Sequence, residues 1–125
     1  MSDVGFDHRN DVLLAHLRGE IDIASAEHLQ DEILSETRFA DESGLVVDLS
    51  EVSFLDSSGV RLLFTVHRAM IEQGRPMALV VPRGTTVASV LSIVEMASVV
   101  WTSPTIDGAI EKLFPPEPGV HSPSS

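Results

Sequence analysis

A chain of 125 residues with 43% apolar content has the size and composition of one globular domain around one core, which excludes wholesale disorder. Its formal charge of −11, with no basic stripe, disfavours nucleic acid as a partner and favours a protein with a basic face. The lack of cysteine excludes disulfides and thiolate metal sites and suits a cytoplasmic setting.

The N-terminal segment Met1–Asp7 has neither the basic start nor the apolar run of a secretion signal. Val4–His8 and Val12–Gly19 are expected to pair as antiparallel strands across an Arg9-Asn10-Asp11 turn, with Leu13, Ala15 and Leu17 on one side. Gly19-Glu20-Ile21-Asp22 closes this unit as a turn. From Ala24 to about Arg38 the apolar spacing changes to three and four (Ala26, Leu29, Ile33, Thr37), which predicts an amphipathic helix ending near Ser43-Gly44.

Leu45–Leu49, apolar except for Asp48, has the pattern of a strand covered on both faces. A short loop is expected next, and Asp56-Ser57-Ser58-Gly59 then launches a helix to Gln73, with Val60, Leu63, Phe64, His67 and Ile71 inward and Gly74 as its stop. Met77–Val81 is another buried strand, followed by a Pro82-Arg83-Gly84 turn. Thr85 to about Glu95 carries Val87, Val90, Leu91 and Val94 on one stripe and is predicted helical. Ser98–Thr102 is a brief strand, and Thr105–Phe114 a last helix with Ile106, Ala109, Ile110 and Leu113 inward. The apolar stretch from Val87 to Trp101 is interrupted by Glu95 and several serines and is shorter than the ~20 residues that span a bilayer, so no membrane role is expected.

Strict alternation of helices and strands after an opening strand pair implies an α/β domain over residues 1–114. Its sheet is mostly parallel, of four to five strands, with an antiparallel N-terminal edge strand and about four helices. The proline-rich segment 115–125 is expected to be a disordered C-terminal tail.

Asp56-Ser57-Ser58-Gly59 has two readings. Asp and Ser are preferred helix caps, each worth ~1 kcal/mol, and any strand-to-helix turn can use them. An exposed hydroxyl at a helix start also lies beside unpaired backbone N–H groups, a setting that suits a negative charge. The surrounding residues favour the second reading. The apolar strand, Asp48-Leu49-Ser50 and Phe54-Leu55-Asp56-Ser57-Ser58-Gly59-Val60 together resemble the phosphorylation loop of bacterial anti-sigma factor antagonists in the STAS (sulfate transporter and anti-sigma factor antagonist) domain family. Gly19-Glu20-Ile21-Asp22 is similar to the family's second recurrent motif, at the expected distance upstream, and the resemblance runs over about residues 4–114.

The resemblance implies a switch and kinase substrate that is not an enzyme. It implies phosphorylation at Ser57, a second cap hydroxyl at Ser58, Gly59 as the small residue that lets a partner approach, and Asp56 orienting the loop. The implied partner surface is Asp22, Ile23, Asp56, Ser57, Ser58, Gly59, Val60 and Arg61. The implied kinase is an anti-sigma factor serine kinase, an ATPase of histidine-kinase-like fold that supplies the ATP and the general base; a phosphoserine phosphatase would reset the switch. The unmodified form would hold the anti-sigma factor and release a sigma factor. Arg61 departs from the family pattern, where a small residue, commonly Gly, follows the hydrophobic one; it folds onto Asp56 or the phosphate, clashes with a partner built for glycine, or is solvated. The alternative that the resemblance leaves open is that this chain is a STAS scaffold subunit of a signalling or lipid-transport complex, its loop contacting a fixed partner without a phospho-switch.

Other chemistries lack support. His8, His16, His28, His67 and His121 are scattered with no i, i+4 pair, so neither a metal nor another cofactor is expected. Ser57 lacks a Gly-x-Ser-x-Gly elbow and a convincing downstream triad, which disfavours a hydrolase.

Overall fold

The computed structural model of the chain describes residues 2–115, so the tail expected from Pro115 onward lies outside the described residues, except for Pro115 itself. Five strands run β1 (Asp3–Arg9), β2 (Val12–Ile21), β3 (Gly44–Leu55), β4 (Met77–Val80) and β5 (Trp101–Ser103). Four helices are α1 (Ala26–Phe39), α2 (Ser57–Glu72), α3 (Thr86–Ile93) and α4 (Ile106–Leu113), and Met96–Ser98 forms a 3-10 turn.

The strands lie in the sheet in chain order, with β1 antiparallel to β2 and every later pair parallel. The three parallel crossovers therefore advance in one direction, and right-handed connections place their helices on one face. The packing agrees. Leu13, Ala15 and Leu17 of β2 and Leu45, Val47 and Leu49 of β3 share a core with Leu29 and Ile33 of α1, Leu63 and Val66 of α2, and Val87 and Leu91 of α3. The alternate residues, Val12, Leu14, Val46, Ala78 and Val80, meet Ala109 and Leu113 of α4 on the other face. Both faces of β3 are thus covered, which is why its first half is almost uniformly apolar.

Arg75, just after α2, ties this frame together. Its guanidinium donates to the carbonyl oxygens of Thr37 at 2.8 Å and Glu42 at 2.6 Å, satisfying the end of α1 and the approach to β3.

Four sequence expectations require correction. No loop follows Leu49: β3 continues to Leu55 beside an equally extended β2, taking one extra residue between His16 and Arg18 and another between Gly19 and Glu20. Gly19, at φ 86, therefore serves an irregular strand and does not end one. The last strand is Trp101–Ser103, because Met96–Ser98 is helical and buries Met96. Ile71 and Val94, expected inward, are exposed; the inner face of α2 runs through Gly59, Leu63, Val66 and Met70 instead.

Candidate functional site

Ile21 and Leu55 are register partners at the ends of neighbouring parallel strands, so the segments that leave them, Asp22–Ser25 and Asp56–Gly59, emerge side by side. A backbone hydrogen bond from Asp56 N to Ile21 O, 3.2 Å, joins the two. The C-terminal end of a parallel sheet, where chain segments turn back into helices, is the usual place for function in α/β folds.

Each segment is ordered by its aspartate. Asp22 Oδ1 accepts from Ala24 N at 3.1 Å, while its carbonyl accepts from Ala26 N at 2.8 Å, which turns β2 into α1. Asp56, in extended conformation, is the N-cap of α2: its Oδ1 accepts from Ser58 N at 2.8 Å and Gly59 N at 3.3 Å. Ser58 is thus a donor through its backbone, and its hydroxyl is not part of the cap, contrary to expectation. With Val60 N bound to the Asp56 carbonyl, Ser57 N–H is the one first-turn donor left without a partner among the described residues. The free N–H groups expected around Ser57 are therefore mostly committed to Asp56.

Ser57 is exposed at the first position of α2, and Arg61 is exposed one turn later without an ion pair among the described residues. Arg61 is therefore solvated and does not fold onto Asp56. Ile23 is 82% exposed. Ile23, Ser57 and Arg61 are exposed at this end, while Asp22, Asp56 and Ser58 are half-buried.

Gly59 and Val60 are buried, and the smallness of Gly59 has an internal cause. A Cβ there would run into Leu55 Cδ1 and lie 2.9 Å from Leu55 Cγ and 3.1 Å from Ile21 Cγ2. The glycine lets α2 sit against the two strand ends.

Phe54 was missed as a surface residue. It projects to the opposite side of β3 from Leu55 and is 45% exposed. Alternation from buried Val52 would turn it inward; the extra residue that β3 takes opposite Gly19 and Glu20 turns it outward, a shift the sequence does not signal.

Below this end, on the α4 side of the sheet, buried Asp48 accepts from His16 Nδ1 at 2.8 Å and from Ser50 Oγ at 2.6 Å. Burial pushes its pKa up, but the Ser50 hydroxyl, Ser50 N–H and His16 more than offset this and hold it below the ordinary value. Among the described residues no group of three His, Asp or Glu is placed to hold a metal ion, and no helix is long and apolar enough to cross a membrane.

This chain architecture matches a family model. Residues 4–109 match the model of the STAS domain. The chain belongs to the STAS domain family. Solved structures of similar fold include an anti-sigma factor antagonist from Mycobacterium paratuberculosis, 23% identical, covering 90% of this chain and 94% of that one with a TM-score of 0.77. A serine-to-glutamate variant of Moorella thermoacetica RsbS is 21% identical over 88% of this chain and 93% of that one, TM-score 0.72. The Bacillus cell fate determinant SpoIIAA in its phosphorylated form is 20% identical over 88% of this STAS chain and 98% of its own, TM-score 0.64.

Proposed function

We propose that this STAS protein is an anti-sigma factor antagonist whose docking is switched by phosphorylation of Ser57. In this reading the unmodified form binds an anti-sigma factor that is also a serine kinase with an ATPase domain, and so releases a sigma factor in the cytoplasm. The observation that carries it is an exposed hydroxyl on the first residue of α2, flanked by Asp56 and the Asp22 turn. The solved relative SpoIIAA, described as an anti-sigma factor antagonist and known in unphosphorylated and phosphorylated forms, supports the assignment.

The physics favours a switch at docking over a switch of fold. A phosphate adds about −1.5 to −2 charges and three acceptor oxygens. On exposed Ser57 it remains hydrated, and the α2 dipole offsets it by about 0.3–1 kcal/mol, so the domain tolerates it. A partner that covers Ser57 must instead strip water from a dianion beside the Asp56 carboxylate, at a cost of several kcal/mol. Each ~1.4 kcal/mol is tenfold in affinity, so one phosphate removes a tight complex. A phosphoserine phosphatase restores it. The chain acts as substrate and ligand, not as an enzyme.

A pull-down with wild type, Ser57→Ala and Ser57→Asp tests this reading. Wild type and the alanine variant retain an ATPase-type partner and the aspartate variant releases it. Identical catches from all three overturn the reading.

A further inference from the structure

At the far side of the sheet, α3, the 96–98 turn and β5 enclose a cleft of about 490 Å3, within the ~300–1,000 Å3 range of ligand sites. Val81, Leu91 and Met96 form an apolar floor, with Arg83 and Glu95 also among its lining residues. None of the lining residues belongs to the Ser57 or Asp22 segments, so the inference is independent of the proposed switch.

Three observations define what fits. First, the cleft borders the outermost strand of the sheet. β5 is the last strand in the sheet, and Ser103 O accepts from Val81 N on its β4 side. By the alternation of a parallel ladder, the N–H and C=O of Thr102, which lines the cleft, face away from β4 and are unpaired by the sheet. Second, the cleft is charged only at its two ends. Residues 84–106 contain a single charged residue, Glu95, in a chain that is 22% charged. Arg83 precedes α3 and Glu95 follows it, and neither side chain has an ion-pair partner among the described residues. Third, Glu95 is held at φ 55 at the C-terminal end of α3, where both the left-handed backbone and the helix dipole disfavour an acidic residue.

The spacing matches an extended chain. An eight-residue helix is about 12 Å long, the span of three to four extended residues at ~3.3–3.6 Å each. Val81 N meets Ser103 O, which puts Arg83, two residues on, near the end of β5, so a strand parallel to β5 brings its C-terminus to Arg83.

We propose that this cleft binds the extended C-terminus of a partner protein by strand addition to β5. Arg83 takes the terminal carboxylate, Glu95 takes a basic side chain about three residues upstream, and apolar side chains enter the floor between them.

The test uses the peptide acetyl-Lys-Val-Val-Leu with a free carboxylate, its C-terminal amide, and a version with Glu in place of Lys, each titrated into the full chain and followed by amide NMR. The free-acid peptide shifts the amides of Ser92, Ala97 and Thr102 and slows hydrogen exchange at Thr102. The amide and the Glu version bind at least tenfold more weakly. Arg83→Gln abolishes the preference for acid over amide, and Glu95→Gln the preference for Lys over Glu; both positions are exposed, so the fold is retained. No shifts at millimolar peptide, equal binding of acid and amide, or shifts away from the cleft overturn the proposal.

Discussion

Replacing Gly59 by alanine separates an internal packing role from a partner-facing one. The added methyl would overlap Leu55 Cδ1 and lie 2.9 Å from Leu55 Cγ and 3.1 Å from Ile21 Cγ2, and both neighbours are core residues with little room to move. Overpacking of this kind costs about 1–3 kcal/mol. Overlap with core side chains puts the cost in the upper half of that range, about 2–3 kcal/mol; alanine returns about 0.5–1 kcal/mol of helix propensity, which leaves a net loss of about 1–2 kcal/mol. For a domain of this size that lowers the melting temperature by about 5–10 °C, and urea unfolding gives the free energy directly. Leu55→Ala alone costs about 2–5 kcal/mol, but in the double variant the new methyl occupies space the leucine vacated. The pair is therefore less destabilised than the sum of the singles, by about 1–2 kcal/mol. A Gly59→Ala variant as stable as wild type, or a strictly additive cycle, refutes the packing account.

Asp56→Ala removes the α2 cap and lowers stability by about 0.5–2 kcal/mol in urea unfolding, while Asp56→Asn loses much less. Arg75→Ala leaves the carbonyls of Thr37 and Glu42 without their donor and costs about 2 kcal/mol; Arg75→Lys does not restore it, since a single ammonium cannot reproduce the forked contacts. The Asp48 carboxyl titrates below its ordinary value of 3.8 in the folded state, so below that value the unfolded chain binds more protons and stability falls as pH drops through the folded pKa. Asp48→Asn is less stable at neutral pH and shows a shallower acid decline below pH about 4. Ser57→Asp changes folding stability by no more than about 0.5 kcal/mol, because the site is exposed and the helix start tolerates the charge.

The order of elements was legible because apolar periods of two and near four differ sharply along this chain, and because a parallel sheet forces helices between strands. The full length of β3 was not. Ser50, Glu51 and Ser53 look like a loop, and only pairing with an equally extended β2, accommodated by two irregularities of register, keeps them in a strand. Asp56 was recognised as a cap from its residue type alone. That it would claim both the Ser58 and Gly59 N–H groups, leaving the Ser58 hydroxyl out, depended on backbone geometry absent from sequence. Gly59 shows the same limit: its residue type was informative, but the reason lies in Leu55 and Ile21, which reach it only through strand register. Ile71 satisfied the helical period yet lies near the end of α2, past the inner face that ends at Met70.

The central claim is tested most directly by calorimetric titration of the cognate anti-sigma kinase with the native chain and with the chain carrying phosphoserine at residue 57. The account predicts binding at least a hundredfold weaker for the phosphorylated chain, with an unchanged melting temperature. Equal affinity of the two forms would contradict it.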